Sequence, residues 1–437
     1  MSEINKQKEQ ISSEKNHIRL IDPCTINNGI IPLKDLQTYN RTIGDLADKV
    51  SFFIPASGSG SRMFGFLYDF ISVKQENELS TLFFRKFRDF PFSAGFEDQL
   101  SGDLNSKIVL AETILFDETY RFGDKPKGLI PFFKWNDQLL TPFQVQTLQA
   151  ETLIGENPTI HFTVQEKYRE EIRKHLHVDG THTNISFSIQ DPESDAFCFD
   201  EIGNSIMRNG EYLRRPAGHG ALLSNLNRIE KEYVLIKNID NVQAPGDEKT
   251  SLDAWKCMVN LLSDFKVKLQ SAIEKRDFEV ITQLNEMYHF TNEDLSDQLL
   301  AELEEKPIRV CGMVKNQGKP GGGPFWVDVD GHVSKQIVEL SQVANDPEQK
   351  EVVNRSTHFN PVFMVCSLTN LKGRKVNLTH FVNENLYLKV KKQDNGQEVY
   401  YRELPGLWNG SMHNWITVFV ELPEEVFTPV KTVIDLL

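Results

Sequence analysis

Short apolar runs and longer stretches of helical spacing alternate along this chain. Val50–Ile54 (V-S-F-F-I), Ile160–Val164 (I-H-F-T-V) and Ile185–Ile189 (I-S-F-S-I) have the length and the β-branched or aromatic content of buried strands. Tyr233–Val242 (Y-V-L-I-K-N-I-D-N-V) opens in the same way. Between them lie helical stretches. Residues 64 to about 122 carry helical spacing with charged interruptions. At Thr141-Pro142 a threonine can cap a helix and proline suits its first position. A charged helix is predicted around Tyr168–His177. Trp255, Met258, Leu261, Leu262 and Phe265 recur at helical spacing within Leu252–Glu305, with a second helix over Asp277–Met287. Asp330-Gly331 and Asn395-Gly396 predict hairpin turns, the second between Tyr387–Lys391 and Gln397–Tyr401. The charged start predicts a frayed helix, and Ile18–Leu33, apolar and rich in turn residues, predicts packing against the main domain. Strands alternating with helices predict an α/β fold with a mostly parallel sheet, whose ligands lie beyond the carboxyl ends of its strands. Ile54, Ile189 and Ile239 then end strands on one rim.

At 437 residues the chain has room for two or three domains, or for one large α/β domain with insertions. Its 48 Lys+Arg against 62 Asp+Glu give a formal charge of −14. That argues against a nucleic-acid or anionic-membrane partner, so a phosphate site has to be a local basic pocket on an acidic protein. Cys24, Cys198, Cys257, Cys311 and Cys366 are odd in number, widely spaced and free of any C-x-x-C pair, which predicts reduced thiols in a cytoplasmic protein. The polar start M-S-E-I-N-K-Q-K-E-Q does not read as a signal peptide, and no run of about eighteen apolar residues exists to span a bilayer. The 29 phenylalanines suffice for a substantial core.

The candidate chemistry begins where the first strand ends. Ile54–Met63 reads I-P-A-S-G-S-G-S-R-M, a strand end, a serine/glycine loop and a helix start. Gly58 and Gly60 allow the backbone to turn and approach a ligand, and amides at a helix N-terminus can face a phosphate. Arg62 adds a permanent charge with donors matched to phosphate oxygens. No Gly-Lys-Ser/Thr follows, so this is not a P-loop, and Met63 stands where a dinucleotide fingerprint needs its third glycine. An ordinary turn is the competing reading. Lys125-Pro126-Lys127-Gly128 places two amines on a stiff, non-helical backbone, either as a solvated turn or with Lys127 as a phosphate ligand.

Two further stretches carry candidate polar groups. Arg214–Asn227 (R-R-P-A-G-H-G-A-L-L-S-N-L-N) is a second glycine-rich helix entrance, in which Gly218 and Gly220 flank His219; it serves as a turn or holds a base or phosphate against bare backbone. Asn238, Asp240 and Asn241 follow the Tyr233 strand. A hard cation such as Mg²⁺ wants oxygen ligands and usually keeps several waters, so one carboxylate can suffice; Asx clusters also form turns. Near Arg309, a strand, Gly321, Gly322 and Gly323, and Phe325-Trp326 offer either a sugar site with Trp326 as a stacking face or a loop before a core tryptophan. Pro405–Trp415 (P-G-L-W-N-G-S-M-H-N-W) is either an aromatic core turn or a sugar contact.

The ordered set G-x-G-S-R-M, P-K-G, F-x-Q, P-x-G-H-G and N-x-D-N over residues 50–242 resembles the sugar nucleotidylyltransferases (nucleotide-sugar pyrophosphorylases). It is most similar to the UTP–sugar-1-phosphate uridylyltransferase branch, with its UDP-glucose and UDP-N-acetylhexosamine pyrophosphorylases. F-T-P-V-K-T-V-I-D-L-L at 427–437 resembles the F-x-P-V-K-T-x-x-D-L-L end of the UDP-glucose enzymes' catalytic domain. Nothing follows Leu437, so a carboxy-terminal β-helix domain is expected to be absent. The whole chain also resembles a bacterial family of unknown function with this layout.

The resemblance implies a Rossmann-like, mostly parallel mixed sheet of the nucleotide-diphospho-sugar transferase (GT-A-like) type with helical insertions. The implied reaction joins an NTP, UTP favoured, to a sugar-1-phosphate with Mg²⁺, giving an NDP-sugar and pyrophosphate. Arg62 and the Ser57, Gly58, Ser59, Gly60 and Ser61 loop would hold the β/γ-phosphates, and Lys127 and Lys431 would flank the reacting phosphates. Gln190, Gly218, His219 and Gly220 would read the base, with Asn238 beside them in the nucleotide set. Gly322 and Gly323 would approach the sugar, and Asp240 and Asn360 would hold the metal. The motif order divides the chain into an N-terminal extension (1–45), a nucleotide-binding half (46–242, with an insertion at about 64–122), a helical insertion or lid (243–306) and a sugar-binding half (307–437). Ser57, Ser61 and Ala217 depart from the residues common in the resembled family. Nucleotidyl transfer to a non-sugar phosphate, or nucleotide-sugar binding without catalysis, are the alternatives; product analysis with several acceptors and a test for pyrophosphate release separate them.

Overall fold

The computed structural model describes every residue except 1, 14–16, 59, 100, 101, 177, 179, 317 and 319–321, and omits the side chains of 97–99. Ser59, His177 and Gly321 therefore lie outside the described residues. In chain order the central strands are β1 (Thr25–Ile26), β2 (Gly29–Ile31), β3 (Val50–Pro55), β4 (Thr159–Thr163), β5 (Asn184–Ser188), β6 (Tyr233–Ile236), β7 (Ile308–Lys315), β8 (Met364–Ser367) and β9 (Ile416–Glu421). The chain forms two compact units. One comprises Met1–Val50, Ile189–Ile236 and Ala254–Glu424; the other comprises Ser51–Ser188, Lys237–Asp253 and Glu425–Leu437.

In the larger unit the strand order is β1-β2-β9-β7-β8-β6. The β1/β2, β2/β9 and β9/β7 pairs are parallel; β8 runs against its neighbours β7 and β6, and the two-residue strand His358–Phe359 also pairs antiparallel with β7. The Ile18–Leu33 stretch supplies β1 and β2, which are too short to announce themselves by periodicity. Asp330-Gly331 and Asn395-Gly396 turn the hairpins Gly323–Val329/His332–Val338 and Leu388–Asp394/Gln397–Glu403. The helix Lys249–Glu274 buries Trp255, Met258, Leu261, Leu262 and Phe265, as their spacing requires. The next two helices are Phe278–Tyr288 and Asp297–Glu305, capped by Asp277 and Ser296. No described helix is long and apolar enough to cross a membrane.

In the smaller unit β3, β4 and β5 are all parallel, in that order. The helix Pro142–Ile154 precedes β4 and packs on it through Phe143 and Phe162; Thr141 accepts from the Gln144 N–H and Pro142 opens the first turn. The 64–122 stretch folds into the helices Gly65–Val73, Glu78–Arg85 and Leu104–Phe116 around a phenylalanine core. Phe83 touches the rings of Phe66, Phe84, Phe87 and Phe90 at centroid distances of 5.1–5.6 Å. Val242, Val430 and Val433 pack into the same core, so residues 300 positions apart in sequence close one cluster.

His161 on β4 is buried. Its ring nitrogens lie 2.8 and 2.7 Å from the Ser186 and Ser188 hydroxyls of β5, and its ring stacks on Phe53 at 5.7 Å. Burial pushes its pKa from 6.5 down to about 4. The unfolded chain thus binds a proton that the folded chain refuses. Stability is full above pH about 6.5 and is lost as pH falls toward about 4. At roughly 1.4 kcal/mol per unit the loss is up to about 3 kcal/mol. Urea denaturation at several pH values should show His161→Gln with a flatter acid limb than wild type; equal slopes would remove His161 as the cause.

Candidate active site

The first strand ends at Pro55, and the loop after it is held from several sides within the smaller unit. A 3₁₀ turn covers Gly60–Arg62, and the α-helix starts only at Gly65. The Gly60 N–H donates to the Lys125 carbonyl at 2.8 Å, so that amide is already spent within the protein. A Cβ on Gly60 would sit 2.8 Å from Ile130 Cδ1 and 2.9 Å from the Lys125 carbonyl, which makes glycine a packing requirement here. Gly58 is different: a Cβ there would meet nothing within 4 Å, so open space lies beside it. The Gly58 carbonyl accepts from the Lys127 N–H at 3.2 Å, and the Ser57 carbonyl from Gln165 Nε2 at 2.6 Å. Ser61 is half-buried, and Arg62 is exposed and forms no ion pair among the described residues.

These contacts bring the lysine loop beneath the glycine loop, and two further segments complete the cluster. The Ile239 N–H donates to the Pro55 carbonyl at 3.3 Å, which fixes the Asn238–Asn241 turn against the end of β3. The Asn238 carbonyl receives Gln146 Nε2 at 3.5 Å. The Val430 N–H donates to the Asp240 carbonyl at 3.1 Å, and the Val433 N–H to the Met63 carbonyl at 3.1 Å. Asn241 grips the same arm through the Val426 carbonyl and the Thr428 N–H. Asp435 receives the N–H groups of Lys431 and Thr432 at 2.8 and 2.7 Å, so the backbone of Lys431 is pinned.

The result is a charge cluster built from three distant stretches. Lys127 Nζ lies 3.0 Å and Lys431 Nζ 3.2 Å from the same oxygen, Asp240 Oδ2. Lys127 Nζ also donates to the Val430 carbonyl at 2.7 Å. Asp240 Oδ1 receives no donor among the described residues. The two lysines differ in kind. Lys127 and Asp240 expose only 13% and 11% of their side chains, so theirs is a partly buried pair, and removing one partner leaves an uncompensated charge. Lys431 is 60% exposed, and such a pair adds about 0–1 kcal/mol at most. Its value is as an exposed cation on a fixed backbone. Two cations thus face one carboxylate, a local positive surplus suited to phosphate oxygens.

Asp240 fits a hard cation to the extent that a carboxylate oxygen without a protein donor is present. Among the described residues no group of three or more His, Cys, Asp or Glu could form a cage, so an ion at Asp240 would complete its shell with water and substrate oxygens. Magnesium suits that arrangement.

The remaining candidates belong to the larger unit. Gln190 Nε2 lies 3.4 Å from Asp195 Oδ1. Gly218 has φ +74°, and its missing Cβ makes room for the Glu403 carboxylate, while Gly220 packs on the Pro405 carbonyl. His219 Nδ1 accepts from the Leu407 N–H at 2.9 Å, and its ring stacks on Trp408 at 4.1 Å. The Gly-His-Gly turn and the Pro405–Trp408 turn thus form one packed body. The Asn360 side chain donates to the Gly312 carbonyl at 2.8 Å and accepts from the Val362 N–H at 3.1 Å, while its own N–H donates to the Gly322 carbonyl at 2.8 Å. A Cβ on Gly322 or Gly323 would meet Ile337 or Phe325 within 3 Å, so both glycines are packed.

Sequence reasoning missed the groups that hold the loops. Gln165 secures Ser57, and Tyr168 donates to the Asp124 carbonyl at 2.6 Å, just ahead of the lysine loop. Gln165 stands past the carboxyl end of β4, the rim where ligand-facing groups are expected, so its position was a usable signal. The Tyr168 contact carries no such signal.

A mostly parallel sheet with helical insertions is a fold similar to that of a solved UDP-sugar pyrophosphorylase. The UDP-N-acetylglucosamine pyrophosphorylase of Trypanosoma brucei, solved with an inhibitor, matches with a TM-score of 0.50 at 14% identity, over 99% of this chain and 74% of that one. The UDP-glucose phosphorylase of Trypanosoma brucei matches with a TM-score of 0.48 at 14% identity, over 99% and 72%. A UDP-glucose pyrophosphorylase variant of Leishmania major matches with 0.45 at 12%, over 98% and 71%. At these identities the likeness is one of fold. The chain belongs to the family described as Domain of unknown function (DUF4301), whose model matches residues 1–437. No curated protein sequence matches it.

Proposed function

We propose that this chain is a Mg²⁺-dependent nucleotidyltransferase that joins an NTP, UTP favoured, to a sugar-1-phosphate, with release of pyrophosphate. The observation that carries this reading is the grip of Lys127 and Lys431 on Asp240 Oδ2 beside the glycine loop. In the reaction an oxygen of the sugar phosphate forms a bond to the α-phosphorus of the NTP, and the bond from that phosphorus to the bridging oxygen of pyrophosphate breaks. The attacking oxygen is already anionic, so no general base is needed. The protein's task is alignment and neutralisation of charge.

Arg62 and the open backbone at Gly58 take the β/γ-phosphates. Lys127 and Lys431 exchange part of their contact with Asp240 for the reacting phosphates. Asp240 would hold Mg²⁺, which would supply Lewis-acid charge neutralisation when bound; Asn360 is the metal-ligand candidate of the larger unit. Gln190, Gly218, His219 and Gly220 are the base-reading candidates, and Gly322 and Gly323 the sugar-side ones. The fold shared with UDP-sugar pyrophosphorylases supports the reaction class.

The test is a pyrophosphate-release screen across the four NTPs with a panel of sugar-1-phosphates and amino-alcohol phosphates in Mg²⁺. Release with UTP and a sugar-1-phosphate, abolished by chelation, is the expected result. Release only with non-sugar acceptors moves the substrate class; no release with any pair, in protein that still binds UTP, leaves a binding protein.

A further inference from the structure

Against the turn that carries Asp240 lies a buried polar layer that the proposed reaction does not use, wholly within the smaller unit. Gln146 and Gln149, three positions apart on the helix Pro142–Ile154, share one face of it. Gln146 Nε2 reaches the Asn238 carbonyl at 3.5 Å, and Gln149 Nε2 donates to the Gln243 carbonyl at 3.2 Å. One helix face thus holds the Asp240 turn at both shoulders. From Gln243 the connection continues outward. Its Nε2 donates to Thr428 Oγ1 at 2.8 Å, and that hydroxyl donates to the Val242 carbonyl at 3.0 Å. Thr428 stands three residues before Lys431, on the arm that brings this lysine to Asp240.

The head of the connection is Lys237, which is 1% exposed. Its Nζ donates to Gln149 Oε1 at 2.8 Å and to nothing else among the described residues. Two other buried lysines are better compensated. Lys266 meets the Glu232 carboxylate at 2.7 Å and the Ser367 hydroxyl at 3.0 Å, and Lys335 donates to the Gly29 and Tyr288 carbonyls. Lys237 has no acid opposite it: burial lowers its pKa, and no neighbouring carboxylate raises it again. Gln146 Oε1 and Gln243 Oε1 are also buried without a donor among the described residues. An apolar layer of the same shape would hold the fold at least as well.

What the polar layer adds is direction. The lysine nitrogen donates, so Gln149 turns its oxygen toward Lys237 and its NH₂ toward the Gln243 carbonyl. We propose that Lys237 is a positioning residue of the charge cluster: by orienting Gln149 it sets, through Gln243 and Thr428, the place of the arm and of Lys431 against Asp240. Its part in turnover rests on the reaction proposed above; its grip on the arm does not.

Amide hydrogen exchange on the full chain reads that grip without substrate. Lys237→Met keeps most of the stem and removes the donor. In it the amides of 425–437 should exchange about tenfold faster, the size of one hydrogen bond, while β3, β4 and β5 keep wild-type protection. Thr428→Val breaks the last link with little change of volume, so it carries the same test if Lys237→Met folds poorly. With UTP and a sugar-1-phosphate, each variant should lower kcat and leave KM for UTP nearly unchanged, since Arg62 and the Gly58 backbone would still take the β/γ-phosphates. In a Lys431→Ala background Lys237→Met should cost nothing further, a result that a general loss of packing would not give.

The proposal is overturned by arm exchange unchanged in both folded variants, or by exchange that rises equally throughout the smaller unit. It is equally overturned by an unaltered kcat in a variant whose arm exchanges faster, or by losses that multiply in the double variant. If wild type releases no pyrophosphate with any substrate pair, the proposed reaction fails, and exchange still decides whether Lys237 holds the arm.

Discussion

On the proposed function, Asp240→Ala should lower pyrophosphate release by about a hundredfold or more, the equivalent of roughly 3 kcal/mol of lost charge stabilisation. Oδ2 of this carboxylate sits 3.0 Å from Lys127 Nζ and 3.2 Å from Lys431 Nζ. Without it the two amines repel each other, and the nearest hard oxygen for a cation disappears. Asp240→Asn keeps the shape and a hydrogen-bond acceptor but lacks the charge, so it should lose nearly as much activity while disturbing packing less. Rates across a Mg²⁺ titration, with circular dichroism and melting curves on the same samples, read the two effects apart. Wild-type turnover in a folded Asp240→Ala protein would end the metal assignment.

The largest stability effect belongs to the phenylalanine core. Phe83 is 0% exposed and at the centre of its ring contacts, so Phe83→Ala should cost about 3–5 kcal/mol through lost burial and a residual cavity. Phe116, on the helix Leu104–Phe116, is 56% exposed, and its alanine variant should change stability by no more than about 0.5 kcal/mol. Chemical denaturation of the two variants side by side gives the comparison. Equal losses would mean that the cluster is not the cohesive centre of its unit.

Much of the fold was legible because its signals are local. The runs at Val50, Ile160, Ile185 and Tyr233 became strands with ends displaced by no more than one residue at the first three. The Tyr233 strand stops at Ile236, and the polar Asn238–Asn241 turn takes over. Thr141-Pro142, Asp330-Gly331 and Asn395-Gly396 acted as their turn chemistry requires. The helix start after the glycine loop was read too early. Met63 and Phe64 stay outside the α-helix, whose first residue is Gly65, and the Gly60 amide goes to Lys125 rather than remaining free. That bond spans 65 residues, and nothing in the local sequence could announce it.

The candidate site was legible as a set of residue types and only partly as a geometry. Lys127, Asp240 and Lys431 could be named from ordered motifs. That both lysines choose the same oxygen, and that Val430 caps Lys127, depends on how residues 425–437 lie along the turn at Asn238. Gly58 and Gly60 look equivalent in sequence. One is crowded by Ile130 and the Lys125 carbonyl, while the other opens onto free space. Only the packing of a distant loop tells them apart.

The placement of Val430 and Val433 among the phenylalanines has a consequence for biosynthesis. At about 5–20 residues per second, a ribosome that has just made residue 51 needs roughly 20 s or more to reach residue 425. Throughout that interval the aromatic cluster lacks two of its members, and the nascent unit presents greasy surface to whatever chaperones are near. Because Lys431 travels on the same arm, the unit acquires its full charge cluster only when translation has supplied the piece that also seals its interior.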